Sequence, residues 1–102
     1  MNILRSDQNM KIIKSEKGVD SKIAKIFQKQ LKKKYNVINL PLTHPSLVFR
    51  VKILLQNVKN PIHFLIFSNG TLYFQGSPKI PKEVFNEASN DIVKIANSIL
   101  KS

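Results

Sequence analysis

Hydrophobic and polar positions alternate through the middle of the chain and recur at helical spacing towards both ends. From Leu47 to Gln56, Leu47, Phe49, Val51, Ile53 and Leu55 fall on one side of an extended backbone, and Val48, Arg50, Lys52, Leu54 and Gln56 on the other, which is the period of a strand. Residues 62–68 and 71–75 are read as two more strands, joined by Asn69-Gly70, a pair suited to the positive φ of a tight hairpin turn. Residues 57–61 form the preceding turn, and Gly76 ends the last strand. Lys11-Ile12-Ile13-Lys14 predicts a short strand that Gly18 stops. Asp20 or Ser21 then offers an N-cap to a helix over 22–34, where Ile23, Phe27 and Leu31 recur every four residues beside Ile26.

Pro41 and Pro45 make residues 36–46 a connection, with 36–40 as a short edge strand. Pro78 and Pro81 punctuate the next loop, and Pro81 suits the first turn of a helix. Residues 82–101 form a long amphipathic helix. Its apolar stripe is Val84, Phe85, Ala88, Ile92, Ile95, Ala96 and Ile99, with Glu83, Glu87 and Asp91 on the outer side. Residues 1–9 show no period and read as a flexible tail, leaving 10–102 as a single domain. The expected class is α+β, in the order β-α-(β)-β-β-β-α, with an antiparallel sheet and helices packed on one face.

Helices on one face leave the other open, and the covered face must be the more apolar. It takes Phe49, Val51, Ile53 and Leu55, then Phe64 and Ile66, then Leu72 and Phe74. The open face then shows Arg50, Lys52, His63, Leu65, Phe67, Tyr73 and Gln75. Bases stack on aromatic rings while Lys and Arg neutralise phosphates, and Phe wedges can enter a minor groove. The same face could equally bury against another protein, and aromatic pairs also stabilise strand pairing.

Charge sharpens this picture. The 102 residues carry a net charge of +11, from 17 Lys and Arg against 6 Asp and Glu. Residues 1–46 hold 10 basic and 3 acidic side chains, and residues 47–102 hold 7 and 3. Such a balance favours phosphate backbones or anionic surfaces. Only Arg5 and Arg50 are arginines, so point-charge contacts outweigh bidentate readout. A coding bias towards Lys, Asn and Ile is the alternative source of the charge. Lys22, Lys25, Lys29, Lys32 and Lys33 are auxiliary basic candidates on the first helix. A solvated helix face explains them as well, and cations near a helix C-terminus are favoured by its dipole in any case.

Catalytic chemistry finds little footing. There is no cysteine, so no thiol nucleophile or Cys-bound zinc is available. His44 sits in a loop with no acid nearby in sequence, and Gly18, Gly70 and Gly76 are isolated, unlike a phosphate-binding loop. No metal site and no cofactor are expected. No apolar run reaches the roughly 18 residues of a membrane span, and the first residues lack a signal-peptide pattern, so the expected location is cytoplasmic.

The segment Phe64-Leu-Ile-Phe-Ser-Asn-Gly-Thr-Leu-Tyr-Phe-Gln-Gly76 resembles the central hairpin of a TATA-binding-protein-like half-repeat, with an apolar strand ending in Phe-Ser-x-Gly, a second strand, and a Gly before a long helix. The chain is also similar to the N-terminal substrate-binding domain of type III bacterial ribonuclease H, which ends its last strand in Phe-Gln-Gly as Phe74-Gln75-Gly76 does here. The resemblance covers roughly residues 10–101. It implies a curved sheet that grips nucleic acid, with Phe67 at the position of a DNA-kinking wedge and Leu65, Tyr73 and Gln75 at contact positions. The chain has length for a single half-repeat only. Its acids, Asp7, Glu16, Asp20, Glu83, Glu87 and Asp91, do not form the carboxylate cluster that ribonuclease H activity requires. The fold is also similar to domains in a bacterial ribonuclease toxin of antiphage systems.

The expectation is therefore a non-catalytic module. It binds duplex DNA or an RNA–DNA hybrid through Arg50, Lys52, His63, Leu65, Phe67, Tyr73 and Gln75, by backbone and shape. The alternative is a protein-interaction or assembly module, for example in a toxin–antitoxin or phage-defence system. A membrane-surface role ranks third. Exposed strand edges invite pairing with another chain, so a two-fold homodimer is expected.

Overall fold

The computed structural model describes residues 9–101. The chain runs β1 (Asn9–Lys14), α1 (Ser21–Lys32), β2 (Asn36–Asn39), β3 (Leu47–Leu54), β4 (Ile62–Phe67), β5 (Thr71–Gly76) and α2 (Lys82–Lys101). The five strands form one antiparallel sheet in the order β1-β5-β4-β3-β2. The β1 and β2 strands lie at opposite edges, so α1 carries the chain across the sheet. Both helices pack on the same face. Phe27 and Leu31 of α1 and Phe85, Ile92 and Ala96 of α2 share one core with Phe49, Val51, Ile53, Phe64, Ile66, Leu72 and Phe74 of the central strands.

Alternation makes this core. Every other residue of β3, β4 and β5 is buried, and those between are half-exposed. Phe64 and Phe74 stack with ring centroids 4.5 Å apart, and Phe27 and Phe49 tilt against Phe64 at 6.3 and 5.9 Å. Full burial of one such side chain is worth about 1.5–3 kcal/mol, so this aromatic cluster carries much of the fold. Leu55, expected on the covered face, lies past the end of β3 and is half-buried against the core. Ser89 and Leu100 join the buried stripe of α2. The Ser89 hydroxyl donates back to the Asn86 carbonyl at 3.3 Å, so a polar group sits in the stripe without losing its partner.

The ends of the elements follow local chemistry. Asp20 is the N-cap of α1, its carboxylate accepting from the Ile23 N–H at 2.9 Å. The Pro81 carbonyl accepts the first helical bond of α2, from Phe85 N–H. Gly70 has φ 95°, and a Cβ there would stand 2.5 Å from the Lys17 carbonyl oxygen. The hairpin tip therefore needs glycine both for its φ and for the loop after β1 that lies against it.

Two expectations are corrected. Asn9, read as the last residue of a tail, begins β1 and is buried; its Nδ2 donates to the carbonyls of Ser77 and Ile80 at 3.0 and 2.9 Å. The rest of the expected tail lies outside the described residues. Asp91, read as an outer acid, clamps α2 to the chain after α1. Its carboxylate accepts from the Tyr35 hydroxyl at 2.5 Å and from Lys34 Nζ at 2.9 Å. These bonds, Tyr35 first, hold the Asp91 carboxyl below its usual range. Burial, with Asp91 next, pushes the Tyr35 phenol above its own. Among the described residues no helix is long and apolar enough to cross a membrane.

Candidate functional site

Residues directly opposite in an antiparallel ladder project to the same face, so the register defines what the uncovered side presents. One row crosses all five strands: Met10, Gln75, His63, Lys52 and Ile38. The next row is Ile12, Tyr73, Leu65 and Arg50. Beside it Lys14 stands opposite Thr71. The seven residues expected on the open face are all there and all half-exposed. Phe67 ends β4, where the register of β3 shifts between Leu47 and Phe49.

The edge strands add residues that the sequence reading left out. Met10, Ile12 and Ile38 are 51%, 57% and 44% exposed, large apolar side chains on the open side of the sheet. Lys14 adds a cation. The alternation of Met10, Ile12 and Lys14 against Lys11 and Ile13 is visible in sequence, but only pairing with β5 decides which set faces out.

The loop between β2 and β3 borders this face. The Arg50 Nη1 donates to the Pro41 carbonyl at 2.9 Å, and the Leu40 N–H donates to the Arg50 carbonyl. His44, a loop residue with no acid nearby in sequence, has partners. Its Nδ1 accepts from the Ser46 N–H at 3.1 Å, and its ring meets Phe67 edge-on with centroids 6.5 Å apart. The Ser68 N–H donates to the Ser46 carbonyl at 2.7 Å, tying this loop to the end of β4. Phe67 is thus braced along one edge by an imidazole, a contact that needed the loop's path and was not legible from Thr43-His44-Pro45.

Among the described residues, charge on this face has one sign. None of the five strands contains Asp or Glu; the described acids are Glu16, Asp20, Glu83, Glu87 and Asp91, in a loop, at a helix cap and on α2. Lys14, Arg50 and Lys52 stand on the open face with no carboxylate from any strand beside them. His63 feels this. Burial first, then Lys52 and Arg50, hold its imidazole below the usual histidine range. A shallow basin of about 430 Å³ opens here, lined by Arg50, Asn60, Pro61, His63, Gln75, Gly76 and Ser77.

The auxiliary lysines lie elsewhere. Lys22, Lys25, Lys29, Lys32 and Lys33 are exposed on or just after α1, in the helical layer on the far side of the sheet. They are not contiguous with the open face. A cavity of about 560 Å³ on the helical side includes Lys34, Tyr35 and Asp91 in its wall, and Lys34 and Tyr35 both donate to Asp91. Among the described residues no three His, Asp or Glu side chains gather closely enough to hold a metal ion.

Among the described residues the open face presents a half-exposed aromatic and apolar strip, the Gln75 amide, the His63 imidazole, and three cations with no carboxylate on any strand beside them. Comparison of the chain with models of known protein families, with curated protein sequences and with solved structures finds no match.

Proposed function

We propose that the protein is a non-catalytic nucleic-acid-binding module that holds duplex DNA or an RNA–DNA hybrid on the open face of its sheet. The observation that carries this reading is the acid-free sheet: Lys14, Arg50 and Lys52 flank a cross-strand strip of Ile12, Tyr73, Leu65 and the neighbouring Phe67. Cations without local carboxylates attract phosphates and release their counterions. Aromatic side chains give bases a stacking surface or a wedge. With Arg50 the one Arg on the face among the described residues, contacts to backbone and shape dominate over base readout. We assign the fold to the TATA-binding-protein-like class as one half-repeat, supported by the element order and the Phe67-Ser-Asn-Gly70 hairpin. The edge strands β1 and β2 support pairing of two copies into a longer face.

The test compares labelled duplex DNA, RNA–DNA hybrid and single-stranded DNA, each with wild type and Phe67→Ala. The reading expects one duplex ligand to be preferred and Phe67→Ala to weaken it by about 1–3 kcal/mol, the range for a base–aromatic contact. Equal, weak binding of all three, insensitive to Phe67, would refute it.

A second reading has its own observation. The half-exposed Met10, Ile12 and Ile38 sit at both edges of the open face, and exposed apolar patches of this kind also mark protein interfaces. Under that reading the face is covered by a protein partner, and nucleic acid competes poorly for it at physiological salt.

A further inference from the structure

His63 occupies a position that a simple cationic patch does not require. On β4 it stands directly between Lys52 of β3 and Gln75 of β5, with Arg50 and Tyr73 one row away. Beyond Gln75 the row continues to Met10 of β1, and beyond Lys52 to Ile38 of β2. The groups that face it are therefore cations, amides and apolar side chains, with no carboxylate from any strand. Arg50, Asn60, Gln75 and Ser77 converge with it on one basin of about 430 Å³, roomy enough for a phosphodiester and its water. Arg50 is pre-oriented by its bond to the Pro41 carbonyl, and a guanidinium has five N–H donors, so that one bond leaves others to give.

We propose that this basin is the subsite that seats a phosphodiester of the bound nucleic acid, and that His63 takes up one proton from solvent as the basin fills. The proposal rests on the open face being the nucleic-acid site. The physical cause is the reversal of the local field. Empty, the basin opposes an imidazolium because the ring is partly desolvated and Lys52 and Arg50 nearby are already cationic. A phosphate in the basin, beside Arg50 and His63, supplies the missing negative charge and a hydrogen-bond acceptor for the new N–H⁺. Only an N–H bond is made, and no bond of the ligand is broken.

Linkage then fixes the observable. Each unit by which the ligand raises the His63 pKa strengthens binding tenfold between high and low pH. The experiment measures affinity for a labelled duplex at pH 7.5 and 5.5 at constant ionic strength, with wild type, His63→Gln and His44→Gln. In parallel, imidazole NMR signals of the full chain are titrated alone, with inorganic phosphate and with the duplex. The expected result is severalfold tighter duplex binding at pH 5.5 than at pH 7.5 in wild type and His44→Gln, a flat profile in His63→Gln, and a His63 titration that moves upward with duplex and, less, with phosphate. Duplex binding that leaves the His63 titration in place, or a pH profile unchanged in His63→Gln, overturns the subsite and leaves the nucleic-acid reading standing. No duplex binding, with phosphate still raising the His63 titration, overturns the nucleic-acid reading and keeps an anion site. No response to either ligand overturns both.

Discussion

If nucleic acid lies on the open face, the salt dependence of binding is set by three cations, Lys14, Arg50 and Lys52, and not by the net charge of +11. Each neutralised phosphate contributes about −0.9 to the slope of log K against log salt for B-DNA. Three contacts give a slope of about −2.7, or about a 40-fold loss of affinity between 50 and 200 mM salt. Lys52→Gln removes one contact without touching the core, because Lys52 is half-exposed and faces away from the helices. The slope should fall to about −1.8 and the loss over the same range to about 12-fold. Lys25→Gln with Lys29→Gln removes two exposed charges from the helical layer and should leave the slope near that of wild type. Fluorescence anisotropy of a labelled duplex at one fixed neutral pH reads all three proteins. A slope unchanged by Lys52→Gln but lowered by the α1 pair would refute the placement of the ligand on the sheet.

Two further predictions concern the scaffold that presents this face. Gly70→Ala places a Cβ 2.5 Å from the Lys17 carbonyl at φ 95°; left-handed strain alone costs about 1–3 kcal/mol, so urea unfolding should show a loss of at least about 2 kcal/mol, and a change within about 0.5 kcal/mol, ordinary for a neutral surface substitution, would contradict the close approach. Asp91 is held below its usual pKa by Tyr35 and Lys34, so its contribution to stability is complete above the unfolded carboxylate value near ~4 and fades as pH falls through the lower folded value. The stability difference between wild type and Asp91→Asn should therefore be constant from neutral pH down to about 5 and shrink below about 4; a difference that grows on acidification would refute the clamp.

Much of this architecture was legible because its strands are two-faced. In β3, β4 and β5 every second residue but Gly76 is Phe, Val, Ile or Leu, so period alone separates covered from open and places Arg50, Lys52, His63, Leu65, Phe67, Tyr73 and Gln75 together. Asn69-Gly70 fixed the hairpin through glycine's access to positive φ. What local pattern could not supply were partners distant in sequence. Asn9 looks like tail because its two acceptors, Ser77 and Ile80, lie about seventy residues away. Asp91 looks like one more outer acid of α2 until Tyr35 is brought beside it. In β1 the run Lys11-Ile12-Ile13-Lys14 has an apolar residue for either face, and only register against β5 sends Ile12 outward. His44 acquires its role from a loop path that Pro41 and Pro45 permit but do not specify.

The central claim is that the open face, and not the lysine-rich helical layer, is where nucleic acid sits. Its most direct measurement is a backbone amide NMR shift map of the protein titrated with a short duplex. The account predicts that the largest changes fall on the strands around Arg50, Lys52, His63, Leu65, Phe67, Tyr73 and Gln75, with α1 and α2 nearly still. Shifts concentrated on α1 around Lys22, Lys25 and Lys29 would contradict it.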